Sequence, residues 1–213
     1  MAEILDIYDA NMTLIGTMER KHVHRTGMWH RTFQCWIVAE RPDGHRYLLF
    51  HERSTAKKNH PLRYDATAAG HLNTGEKPED GVRELEEELG IKADFSDLHY
   101  LGIKVDVADY GWHRNREFAD VYLLRRDDPL ASYNPDPDEI SAVLEVRLAA
   151  AIELFSGRVE SVEANCVELF RGKPVESTRE IRKEDFITRI DSYYLQIALL
   201  GQLFFEGHEL LVL

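Results

Sequence analysis

Between Ala68 and Ile91 the chain reads AAGHLNTGEKPEDGVRELEEELGI, a stretch that crowds Glu76, Glu79, Asp80, Glu84, Glu86, Glu87 and Glu88 together. Like charges at i,i+4 on a helix each cost roughly 0.2–0.5 kcal/mol, so this density points to a cationic partner. Pro78 suits the first turn of a helix and Gly90 the residue after its end, which predicts a helix from about Pro78 to Leu89. Val82, Leu85 and Leu89 then form one apolar stripe for burial. Glu84, Glu87 and Glu88 converge on a different face, well away from that stripe. Three carboxylates set this way make an oxygen-rich site suited to hard cations such as Mg²⁺ or Mn²⁺. A solvated acidic face is the alternative reading of the same residues.

Such a helix needs a scaffold. The 213 residues, 44% hydrophobic and 30% charged, suffice to bury a core and read as one globular domain with an appendage. A formal charge of −12 counts against duplex nucleic acid and against an anionic membrane surface, both of which need a basic footprint. A small anionic substrate stays compatible where metal ions and a few cations reverse the field inside one cleft. Cys35 and Cys166 make no disulfide framework and read as thiols of a reducing compartment. The first residues lack a basic segment followed by an apolar one, and no apolar run reaches 18 residues, so a cytoplasmic protein is expected.

The scaffold itself reads as interleaved strands and helices. EILDIY alternates apolar and polar residues, as a short edge hairpin would. TFQCWIVAE and HRYLLFHER flank the turn signal RPDG and predict two antiparallel strands joined at Pro42 to Gly44. LHYLGIKVDV and EFADVYLLRR are strand-like, DDPLASYNPDPDEI is a loop, AVLEVRL a strand and AAAIELFSG a short helix ending at Gly157. The order implies an α/β sandwich over residues 1–157. Residues 158–213 read as an extension, charged and weakly periodic to about 190. A helix follows, with Tyr194, Ile197, Leu200 and Phe204 at helical spacing behind Asp191 or Ser192. That helix is expected to pack on the same domain; its other use would be a surface for a second copy of the chain, giving a homodimer.

Gly70, Glu76, Arg83, Glu84, Leu85, Glu87, Glu88, Gly90 and Ile91 resemble the Nudix box, G-x5-E-x7-R-E-U-x-E-E-x-G-U with U aliphatic. Every typed position is filled, with the second spacer one residue short. The shortening falls near Gly81, where a helix former is expected, so the helix should begin late or irregularly. The resemblance implies a Nudix α/β/α sandwich with a mixed sheet, and hydrolysis of a nucleoside diphosphate derivative or related organic pyrophosphate. It also implies a divalent metal held by Glu84 and Glu88, with Glu87 as third ligand or base and Glu87 and Glu88 as the catalytic carboxylates. The Ala69 carbonyl and Glu117 complete the implied ligands, while Gly70, Glu76, Arg83 and Gly90 take structural roles, Glu76 pairing with Arg83.

HVHRTGMWHRTFQCWIV, LLFHERSTAKKNHP and AAGHL together resemble the isopentenyl-diphosphate isomerase-like branch of the same superfamily. That branch implies metal ligation by His24, His30, His71 and Glu117, with Asn115 where a second carboxylate would lie. It further implies that Arg53, Lys57 and Lys58 hold the diphosphate of a small phosphorylated substrate. The isomerases carry Cys at the position of Ala69 and use it as an acid/base group, which a methyl cannot replace. Hydrolysis is therefore preferred, with an isomerase and a non-catalytic binding or regulatory module as the alternatives. Tyr110 and Trp112 are candidates for stacking on a base.

Overall fold

The computed structural model describes residues 2–109, 111 and 113–213. Tyr110 and Trp112, the candidate stacking pair, lie outside the described residues. The chain opens with a hairpin of β1 (Ile4–Tyr8) and β2 (Leu14–Glu19), then α1 (Arg20–Thr26), whose Val23 packs with Leu5 and Ile7. Next come β3 (His30–Glu40), β4 (Arg46–Arg53), the short β5 (Tyr64–Asp65) and β6 (Ala68–His71), and α2 (Arg83–Leu89). Then follow β7 (His99–Asp109), β8 (Arg114–Arg125), β9 (Ile140–Arg147) and α3 (Leu148–Phe155). The last elements are β10 (Ser161–Phe170), β11 (Lys173–Arg182) and α4 (Tyr193–Phe205).

One sheet runs β11-β10-β9-β4-β3-β8-β7, with β5 added to β4 and β6 to β3. It is mixed because β3 and β8 are parallel while the other pairs are antiparallel. Alternation along β3 sends Phe33, Cys35, Ile37 and Ala39 to one face, where Leu85 and Leu89 of α2 cover them. Trp36 and Val38 point to the other face and meet Leu148, Leu154, Tyr194 and Ile197 of α3 and α4. Both faces are thus buried, which explains the nearly continuous apolar run of β3. The result is an α/β/α sandwich with a mixed sheet.

The late and irregular start expected near the short spacer is what forms: Pro78–Val82 is a 3-10 segment, and α-helix begins only at Arg83. The cause is Gly81, where a Cβ would lie 2.6 Å from the Phe33 side chain, so the backbone itself presses on the sheet. Within the charged tail, β10 and β11 form a hairpin that extends the sheet beyond β9. Its signal was the pair Arg171-Gly172, both at positive φ (53° and 72°) between the paired residues Phe170 and Lys173, a two-residue hairpin turn. β11 is an exposed edge strand whose charges hide the alternation and guard the edge. Helix α1 has only seven residues, too few for periodicity to reveal. No helix among the described residues is long and apolar enough to cross a membrane.

Candidate active site

Glu84 and Glu88 lie one turn apart on α2 and are buried, at 8% and 7% exposure, which excludes the solvated face for this pair. Strand β6 runs beside the helix and supplies the reason. The Ala69 amide donates to Glu88 Oε2 at 3.0 Å. Gly70 makes room for Glu84, since a Cβ there would fall 2.0 Å from its carboxylate. Burial, with the nearby Glu84 charge, pushes the Glu88 carboxyl up to about 8 against the opposing Ala69 hydrogen bond. Burial raises Glu84 as well, with Arg83 opposing. Glu87 keeps an exposed side chain.

Arg83 fixes this arrangement. Its guanidinium donates to Glu76 at 3.2 and 3.1 Å, to the His71 carbonyl at 2.9 Å, to Glu84 at 2.6 Å and to Glu87 at 2.8 Å. The Glu76–Arg83 pair therefore forms across the short spacer. Burial opposes ionisation of Glu76, but the Arg83 and Asn73 hydrogen bonds outweigh it and hold the carboxyl below its ordinary range. Gly90 closes α2 in the left-handed region, φ 69°, with its amide donating to the Glu86 carbonyl at 3.0 Å.

A second set of donors lies beside the same cavity, with His24, His71 and Glu117 in its lining. His24 from α1, His30 from β3 and His71 from β6 gather so that their candidate ligand atoms lie within 4.8 Å of one another. His24 Nε2 and His71 Nε2 are 3.2 Å apart, and His30 Nε2 is 3.6 Å from Glu117 Oε1. His30 Nδ1 lies 3.0 Å from the Met28 carbonyl, which can only accept. Nδ1 is therefore placed to donate to that carbonyl, while Nε2 faces the Glu117 carboxylate. His24 Nδ1 and His30 Nε2 are buried without a hydrogen-bond partner among the described residues. Burial lowers both rings, reinforced at His24 by the neighbouring imidazoles and at His71 by the Arg20 charge; His24 falls to about 4 and His71 well below its ordinary value, so both are neutral at pH 7. Paired buried carboxylates and three clustered imidazoles beside them are donor chemistry suited to a divalent cation, and the residues fit one.

The cavity onto which both sets open has a volume of about 1120 Å³. Ala69, Gly70, Glu87, Arg53, Lys57, Asn115 and Glu117 line it too. Lys57 pairs with Glu139, and Arg53 donates to the Asn59 carbonyl at 3.1 Å. Lys58, expected beside them, does not belong there; it lies in the bend that follows, exposed and outside the lining. Neither cysteine lines the cavity: Cys35 is buried against the α2 face and Cys166 under the α4 face.

Sequence reasoning passed over Arg20, Arg189, Thr32 and Gln34, all of which line the cavity. Arg20 pairs with Glu3 at 2.8 Å, and Arg189 with Asp65 at 2.8 Å and with Asp106. No local spacing announces these arginines. Thr32 and Gln34 did leave a trace, as polar residues two and four positions after His30, interrupting the apolar run that continues from Cys35 to Ala39.

The NUDIX domain family model matches residues 28–168. An uncharacterised Nudix hydrolase of Clostridium acetobutylicum is 34% identical over 193 residues, spanning 90% of this chain and 93% of that protein. An isopentenyl-diphosphate Delta-isomerase of Aliivibrio fischeri is 26% identical over 148 residues, 67% of this chain and 79% of its own length. A crystal structure from Deinococcus radiodurans superposes with a TM-score of 0.53 at 21% identity, covering 73% of this chain and 90% of that one, a likeness of fold. With the match running from β3 through the carboxylate helix into β10, and a hydrolase relative alike over nearly its whole length, the chain belongs to the NUDIX domain family, among the Nudix hydrolases.

Proposed function

We propose that the protein hydrolyses the diphosphate linkage of a nucleoside diphosphate derivative or related organic pyrophosphate, with Mg²⁺ or Mn²⁺ as cofactor. The observation that carries this reading is the buried pair Glu84 and Glu88 opening onto the same cavity as Arg53 and Lys57. Nudix hydrolases generally need a divalent metal. When bound, such an ion neutralises phosphate charge and activates a water for in-line attack at phosphorus. Glu84 and Glu88 would hold it together with the Ala69 carbonyl. Glu87, solvent-facing beside them, would add a ligand or take the proton of the attacking water, with Glu88 as the other carboxylate within the helix turn. His24, His30, His71 and Glu117 offer a second cation site. Arg53 and Lys57 supply positive charge for the diphosphate.

Isomerisation of a carbon skeleton is disfavoured because Ala69 offers no proton donor and both thiols are buried away from the cavity. The test is a colorimetric assay for phosphate or pyrophosphate release over a panel of nucleoside diphosphate derivatives and organic pyrophosphates, with and without Mg²⁺. Metal-dependent release from at least one compound is expected. Silence across the panel from folded, metal-loaded protein would overturn the reading in favour of a binding module. Deuterium incorporation into isopentenyl diphosphate without phosphate release would overturn it in favour of the isomerase.

A further inference from the structure

His30, Thr32 and Gln34 lie at alternate positions on one face of β3, and Thr32 and Gln34 line the cavity. Farther along the same face, Trp36 and Val38 belong to the core. Thr32 and Gln34 are each only 4% exposed. The register with β6 sets Thr32 opposite His71 and Gln34 opposite Ala69, and directly opposed side chains start about 5 Å apart. Thr32 therefore neighbours the imidazole cluster. Gln34 neighbours the residue whose amide holds Glu88. The two uncharged groups sit between the two candidate cation sites.

The orientation of Gln34 follows from a chain of donors. Trp36 Nε1–H donates to the Tyr193 oxygen at 3.0 Å, and an indole nitrogen can only donate. The Tyr193 hydroxyl then donates to Gln34 Oε1 at 2.7 Å, the acceptor within its reach. That commits the amide oxygen to the protein and leaves the NH₂ end for the cavity. Thr32 supplies a second and independent sign. Its hydroxyl is buried, lines the cavity and has no hydrogen-bond partner among the described residues, an arrangement that is costly unless a ligand completes it. Around these groups the cavity wall carries carboxylates, including Glu84, Glu88, Glu117 and Asp106.

We infer that Thr32 and Gln34 form a donor pair on the cavity floor that binds non-bridging oxygens of the substrate diphosphate, with Tyr193 as the positioning residue that sets the Gln34 amide. The inference rests on the diphosphate reading above. Two residues along a strand place the pair roughly 7 Å apart, a spacing that adjacent phosphoryl groups can meet with one oxygen each. Neutral donors suit this position because cations held by the flanking carboxylates and imidazoles would balance the phosphate charge. Tyr193 belongs to α4, so the C-terminal extension reaches the site through one hydroxyl.

The test is calorimetric binding of methylenediphosphonate, which cannot be hydrolysed, to the full chain in Mg²⁺. Gln34→Glu keeps the acceptor for Tyr193 but turns the cavity-facing donor into an anion, and is expected to weaken binding at least about 10-fold. Thr32→Val, isosteric at a strand position, is expected to weaken it about 3-fold or more. Tyr193→Phe frees the amide to rotate; it should raise KM while leaving kcat unchanged, and its effect on binding should vanish in a Gln34→Glu background. Unchanged affinity in Gln34→Glu, or in Thr32→Val should the first variant not fold, overturns the inference. So does a wild-type protein that does not bind the diphosphonate. Diphosphonate binding that depends on Gln34 in a protein silent over the hydrolysis panel would instead overturn the hydrolase reading alone.

Discussion

Glu88 is held in place by one backbone amide and opposed by its own burial. Gln at this position keeps an oxygen for the Ala69 amide while removing the charge a cation would bind. Glu88→Gln is therefore expected to lower turnover at least about 100-fold, as loss of a metal-site group does, with the melting temperature unchanged or raised. Glu86 is the control on the same helix. Its side chain is 57% exposed and pairs with Lys92 at 3.1 Å, so Glu86→Gln should stay within a few fold of wild type. Steady-state kinetics beside thermal melts check both, and equal losses at the two positions would refute the assigned helix face.

At the scale of elements, the segment before α2 resolves what a missing residue does. A 3-10 segment rises about 2.0 Å per residue against about 1.5 Å in an α-helix. Pro78–Val82 thus spans with five residues what would take one or two more in α-helix, and Arg83 still meets Glu76. Gly81 permits this by letting the turn press on Phe33, which is fully buried and cannot retreat. Helix propensity alone would make Gly81→Ala stabilising by about 1 kcal/mol. Overpacking against a core aromatic costs about 1–3 kcal/mol and should win. Urea denaturation is expected to show net destabilisation of up to about 2 kcal/mol; a stabilised variant would mean the close approach does not constrain the turn.

The whole molecule carries a pH dependence that one enclosed ring exposes. His51 on β4 is buried, with Nδ1 3.3 Å from the Thr67 carbonyl, and burial lowers its pKa to about 4, against the opposing charge of Asp65. An unfolded chain returns the imidazole to about 6.5. Between these values the unfolded state binds more protons than the folded one, so the His51 contribution makes stability fall as pH falls from about 6.5 to about 4. Above that window it is pH-independent. Asn can mimic the Nδ1 donor without titrating there. Urea unfolding at pH 7 and pH 4.5 should therefore show wild type losing about 1–3 kcal/mol more than His51→Asn. Parallel pH profiles of the two proteins would show that the ring is not held neutral.

Local pattern was enough for the features whose causes lie within a turn or a strand. The Pro78 and Gly90 limits, the Leu85 and Leu89 stripe, the turn at Pro42 to Gly44 and the alternation of β3 all follow from neighbours a few residues apart. The motif spacing likewise put Glu84 and Glu88 one turn apart on a helix. Burial of those carboxylates was not legible, because it depends on β6 lying beside α2 with Ala69 and Gly70 at the contact. Lys57 and Lys58 are adjacent and alike in type, yet only the fold turns one into the cavity and the other to solvent. Three imidazoles converge from α1, β3 and β6, and Tyr193 meets Gln34 across 159 residues. No periodicity spans such separations. They are fixed by how the sheet orders its strands and by which face each helix covers, and so belong to tertiary structure alone.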